Sequence, residues 1–133
     1  MAKMPQEVVD FFRSDPAQIS KVVATVNSDG VPNVAAKGSL IAVDDETIAF
    51  AELVGSKTKA NLQANGKVAA AAFKMVEGFQ VKGSFEGFQT SGPLVDQFVQ
   101  MLKPLGMDVK EVATVKVEEV YSLSPQDAGR RIV

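Results

Sequence analysis

The sequence predicts a mainly β, α+β domain: a six-stranded antiparallel sheet closed into a barrel, with short helices at its flanks. Three observations lead there. Six stretches, 19–26, 33–43, 46–53, 67–73, 79–90 and 111–123, are apolar, most of them rich in β-branched residues or alternating in polarity, and are bounded by turn signals such as Asn27-Ser28-Asp29-Gly30 and Asp44-Asp45. Short hairpin connections dominate, without the regular strand–helix–strand alternation of a parallel sheet. Closure would also remove the exposed edges that six apolar strands otherwise carry. At 133 residues the chain is most simply one domain, 1–133, long enough to bury a real core.

The first element, 4–13, reads as a short helix. Pro5 suits its start, and Val8, Val9, Phe11 and Phe12 make its apolar side. Ser14-Asp15-Pro16 breaks it. Strands 19–26 and 33–43 then pair as a hairpin across the Asn27–Gly30 turn. On the second strand Val34, Ala36, Leu40 and Ala42 fall on one face, with Asn33, Ala35, Lys37 and Ser39 on the other. Strand 46–53 leads through Gly55 into a short helix closed by Asn65-Gly66. Segment 67–73, KVAAAAF, is helical by propensity but has room only for a short element between two breaks, which favours a strand. Its small side chains would admit a flat ligand or a second subunit; a thin stretch of core explains them equally well. Strand 79–90 places Phe79, Val81, Gly83 and Phe85 on one face, and Gly83 and Gly87 mark bends or bulges. A helix over 94–102 carries Leu94, Val95, Phe98, Met101 and Leu102 as a core stripe. The last strand, 111–123, alternates Ala113, Val115, Val117 and Tyr121 against Thr114, Lys116 and Glu118.

Composition narrows the function. A net charge of −2 and one Tyr with no Trp argue against a nucleic-acid binder, including the oligonucleotide-binding barrels that also place a helix between their third and fourth strands. There are no cysteines and no histidines. This removes disulfides, thiol nucleophiles, the commonest metal ligand and the commonest general base, and no metal site is expected. No apolar run is long enough to span a membrane, and residues 1–19 lack a signal-peptide core, so a cytoplasmic protein without membrane association is expected.

The chemistry-bearing stretch is 50–66, FAELVGSKTKANLQANG. A helix starting near Ser56 would direct unpaired backbone N–H groups and the positive end of its dipole outward. Lys57, Thr58 and Lys59 add two cations and a hydroxyl, a set suited to holding a phosphate. It is not a Walker loop, because Ser56 and Ala51 stand where that motif needs glycines. An ordinary capped helix with solvated lysines fits the same residues, and local features alone favour it over a phosphate site.

The segment GSKTKANLQANGKVAAAAF, preceded by VATVNSDGVPNVAAKGSLIAV and followed by FQVKGSFEGFQTSGP, resembles the FMN-binding split-barrel proteins of the pyridoxamine 5′-phosphate oxidase-like group, and its small single-domain members above all. The resemblance implies a six-stranded split barrel that forms a homodimer with FMN at the subunit interface. It implies that Ser56, Lys57 and Thr58 hold the FMN phosphate. It also implies that Ala35, Ala36, Lys37 and Ser39 lie along the flavin, with Ala51 and Glu52 lining it from the next strand. The expected function is an FMN-dependent oxidoreductase or electron-transfer protein, working with NAD(P)H or a redox partner protein. Lys37 is the candidate for a cation beside the flavin N1–C2 carbonyl. The alternative is a non-catalytic protein that binds or stores a flavin or deazaflavin. Oxidation of pyridoxamine phosphate itself is not expected, since the arginine–histidine pair of those enzymes has no counterpart in a chain without histidine.

Overall fold

A computed structural model describes residues 2–53 and 57–133. The chain runs α1 (Gln6–Phe12), β1 (Ser20–Val26), β2 (Pro32–Ala36), β3 (Ile41–Ala42), β4 (Thr47–Glu52), α2 (Lys57–Ala64), β5 (Lys67–Lys74), β6 (Glu77–Gln89), α3 (Pro93–Leu102), a 3-10 turn (Lys103–Leu105) and β7 (Glu111–Ser122). All strand pairs are antiparallel, in the order β2-β1-β5-β6-β7-β4-β3. Among the described residues the sheet has seven strands rather than the expected six. The expected strand 33–43 is broken at Lys37–Leu40, where the Leu40 N–H closes a turn onto the Lys37 carbonyl at 3.0 Å. Its first half pairs with β1 at one edge of the sheet and its second half with β4 at the other. One four-residue turn therefore joins the two edges and curls the sheet.

The break also reassigns side chains. Leu40 and Ala42 are buried as expected, but Val34, assigned to the same face, is 67% exposed. Past the turn the strand belongs to the opposite edge, so the alternation does not carry through.

Alternation places Val23, Val68, Ala70, Ala72, Phe79, Val81, Val115 and Val117 inside the curl, where α1 adds Val8 and Phe12. KVAAAAF is thus a strand in which Ala70 and Ala72 are core, while Ala69 and Ala71 are half-buried. A second cluster forms where Val95, Phe98 and Leu102 of α3 pack on Ile41, Ala49, Ala51 and Val112.

β6 and β7 are bent against each other by two register shifts, at Lys82/Gly83 and Phe85/Gly87. Gly83 pairs with Val117 but Lys82 pairs with Glu119, which leaves Glu118 as the extra residue of a bulge. The bulge reverses the parity of β7, so Val120 is the buried residue and Tyr121, expected on the core face, is half-buried beside Lys82. Gly83 is required by proximity: a Cβ there would lie 2.2 Å from the Lys116 carbonyl oxygen.

Candidate functional site

A cavity of about 760 Å³ opens where the Lys37–Leu40 turn meets the end of β4. From the turn and β4 come Ala36, Lys37, Gly38, Ser39, Ala51, Glu52 and Leu53. The remaining lining comes from the loop after α1, at Asp15, Pro16 and Ala17, and from the end of α3 and its 3-10 turn, chiefly Met101, Leu105 and Met107. Its volume lies within the range of small-molecule sites, which are mostly apolar with a few placed polar groups.

The polar groups are fixed by the turn. Ser39 Oγ accepts the Ala51 N–H at 2.9 Å, so a side chain takes over a ladder position just before β3 begins. Lys37 Nζ lies 3.3 Å from Glu52 Oε2, with the two side chains 15% and 3% exposed, and 5.6 Å from the Phe50 ring centroid. The ion pair keeps the Glu52 carboxylate from being buried without compensation.

From Leu53 the chain passes through Val54–Ser56 into α2. The phosphate assignment to Ser56 falls outside the described residues. Lys57 is exposed at the start of α2, and Thr58 is buried. Two further residues of this helix hold it to the sheet. Asn61 Nδ2 donates to Thr25 Oγ1 at 3.1 Å, and Lys59 pairs with Glu111 and lies over the Phe88 ring. Lys59 is thereby tied to β7. Gly66, at φ +80°, closes the helix in the left-handed conformation its position suggested.

Of the nine residues assigned from sequence, five line the cavity: Ala36, Lys37, Ser39, Ala51 and Glu52. Ala35 is not among its lining residues. It pairs with the buried Val23, and directly opposed residues share a face, so Ala35 is directed to the other side of β2 from Ala36. Lys57 and Thr58 sit at the start of α2 and also do not line it. Sequence reasoning missed the walls from 15–17 and 101–107. Met101, read as core, is 37% exposed and part of the cavity. A signal was present in KPLGM, where Leu105 and Met107 follow the helix across Pro104 and Gly106, outside any burial periodicity.

A second buried cation stands behind the cavity. Lys21, 4% exposed, donates from Nζ to the Phe12 and Leu40 carbonyls at 2.9 Å each. Burial lowers its pKa from 10.5 to about 8, against an opposing contribution from the Asp15 carboxylate. Its sequence signal was register: Ile19, Lys21, Val23 and Thr25 occupy alternate positions, and all four are buried.

An antiparallel sheet curled so that one turn joins its edges, with a cavity at that turn, defines a split barrel. The model of the pyridoxamine 5′-phosphate oxidase family matches residues 4–124, and the chain belongs to that family. An uncharacterized protein of Methanocaldococcus jannaschii is 33% identical over 138 residues, which cover 99% of this chain and 89% of the relative. The crystal structure of HupZ from Group A Streptococcus is 28% identical, covers 98% of this chain and 99% of its own, and superposes with a TM-score of 0.80. An FMN-binding protein from Syntrophomonas wolfei, 23% identical over 90% of this chain and 88% of its own, has the same fold with a TM-score of 0.78.

The residues present fit a flavin. The cavity offers apolar surface for a ring, and Lys37 offers a cation for a carbonyl or an anionic ring. Lys57 is exposed at the start of α2.

Proposed function

We propose that this protein binds FMN and serves as an oxidoreductase or electron-transfer protein. The flavin would supply the redox chemistry, and the chain would bind, orient and tune it. The observation that carries this reading is the convergence of Ala36, Lys37, Ser39, Ala51 and Glu52 on one cavity in a chain of this family. Lys37 would hold positive charge beside the ring, oriented by Glu52. Lys57 and Thr58, with Ser56, would hold the phosphate at the start of α2. Ala35, facing the barrel interior, would support β2 rather than touch the ring.

A homodimer belongs to the same proposal. Ala24, Ala69 and Ala71 are half-buried small residues on neighbouring strands, and Val34 is exposed beside them on the β2 edge. A two-fold contact there would use one patch twice and create two equivalent sites. An electron donor such as NAD(P)H, or a redox partner protein, would complete the cycle.

The first experiment is whether the purified protein is yellow, and which flavin is released when it is denatured. Lys57→Ala should weaken FMN binding by roughly ten- to a hundredfold and leave riboflavin binding nearly unchanged, because only FMN carries the phosphate. Equal losses for the two ligands would remove the phosphate assignment. Sedimentation read at the flavin band should show FMN and dimer lost together on dilution. A monomer that keeps stoichiometric FMN would place the whole site within one chain. Bound flavin that no reduced nicotinamide can reduce would favour storage or sensing.

A further inference from the structure

We propose that Lys21 is a positioning residue for the cavity: from the core side it holds the Lys37–Leu40 turn in the shape that presents Lys37 and Ser39. Lys21 grips the turn at both ends. Its backbone carbonyl accepts the Lys37 N–H at 3.0 Å, and its ammonium donates to the Leu40 carbonyl at 2.9 Å. A second N–H of the same ammonium donates to the Phe12 carbonyl at 2.9 Å, in the last turn of α1, where a helix has no donor of its own to offer. One side chain therefore ties α1, β1 and the turn together.

The neighbouring residue Arg13 extends the hold, donating from Nε to the Ala42 carbonyl and from Nη2 to the Val43 carbonyl, each at 2.9 Å. Three carbonyls between Leu40 and Val43 thus accept from two cations flanking the end of α1. The turn's own polar contacts reach the other way, from Lys37 to Glu52 and from Ser39 to Ala51.

An apolar core would be better served at position 21 by an aliphatic residue, since burial opposes charge there strongly enough to bring the pKa to about 8. The charged group that acts on Lys21 is Asp15, from the loop after α1. Asp15 favours the protonated form. An aliphatic side chain there could not serve the Phe12 and Leu40 carbonyls. Without the ammonium the turn would be held less firmly, and binding at Lys37 and Ser39 would weaken.

This inference rests on the cavity being the FMN site, so its test has two arms. FMN affinity, followed by flavin fluorescence, should fall roughly three- to tenfold in Lys21→Met. Lys21→Met binding FMN as the wild type does overturns the proposal. The second arm needs no ligand: amide exchange at Lys37 and Leu40, whose N–H groups donate to the Lys21 and Lys37 carbonyls, should lose protection in Lys21→Met while β5 and β6 keep theirs. Unchanged protection there, or protection lost equally in β5 and β6, overturns the proposal; Lys21→Gln serves both arms if the methionine variant does not fold. Loss of protection without any FMN binding would sustain the role of Lys21 and remove the flavin assignment instead.

Discussion

Gly83→Ala isolates the tightest point in the sheet. An added Cβ would meet the Lys116 carbonyl oxygen at 2.2 Å and a Val115 methyl at 3.0 Å. The first contact is with backbone and cannot be relieved by turning a side chain. β6 and β7 would have to separate by about 1 Å to restore ordinary contact, in the longest strand pairing of the molecule. Overpacking of this kind costs about 1–3 kcal/mol, and a weakened ladder bond adds about 1. We expect a total near 3 kcal/mol, seen as a fall of roughly 2 M in the urea midpoint for an m-value of about 1.5 kcal/mol/M. Gly30→Ala is the control. Its φ is +82° and no atom lies near the new methyl, so it should cost only the left-handed conformation, about 1–2 kcal/mol. If Gly83→Ala costs no more than Gly30→Ala, the close approach of the two strands is wrong, and with it the bulge that turns Tyr121 out of the core.

Two further outcomes follow from buried groups. The folded-state pKa of Lys21 lies below its unfolded value, so the unfolded chain binds more protons between about pH 8 and 10.5. Stability should therefore rise across that window by up to about 3 kcal/mol, at about 1.4 kcal/mol per pH unit; chemical denaturation should find the rise in the wild type and not in Lys21→Met. Phe98→Ala removes the ring that α3 sets into the second cluster and should cost about 3–5 kcal/mol by thermal or urea unfolding; because α3 carries Met101 and Leu102, it should also weaken binding in the cavity.

The legible parts of this chain were those governed by local rules. Turn chemistry placed the Asn27–Gly30 and Asn65-Gly66 breaks, glycines marked both bulges, and length decided that KVAAAAF is a strand despite its alanines. What was missed depends on partners remote in sequence. Lys37–Leu40 contains only one glycine and continues an alternating pattern, so nothing local says that the strand changes edges there. The parity change at Glu118 follows from what lies across from it, Gly83, and alternation alone cannot reveal it. The cavity was half visible: Ala36, Lys37, Ser39, Ala51 and Glu52 were reached through the family resemblance, whereas Met101 and Leu105 look like core until the fold leaves them exposed.

The strand order has a consequence for how the chain reaches this shape. β1 and β2 form a local hairpin, as do β3 and β4, yet the two hairpins stand at opposite ends of the sheet although only the Lys37–Leu40 turn separates them in sequence. What connects them through hydrogen bonds is β7, which pairs with β6 on one side and β4 on the other. As the chain leaves the ribosome, β4 must therefore wait for about sixty residues before β7, its other strand partner among the described residues, begins to emerge. The Lys37–Leu40 turn is made early but acquires its final neighbours last. Closure of the curl should be the slow step of folding, dominated by long-range pairing, and substitutions in β7 should slow it more than substitutions in the β1–β2 hairpin.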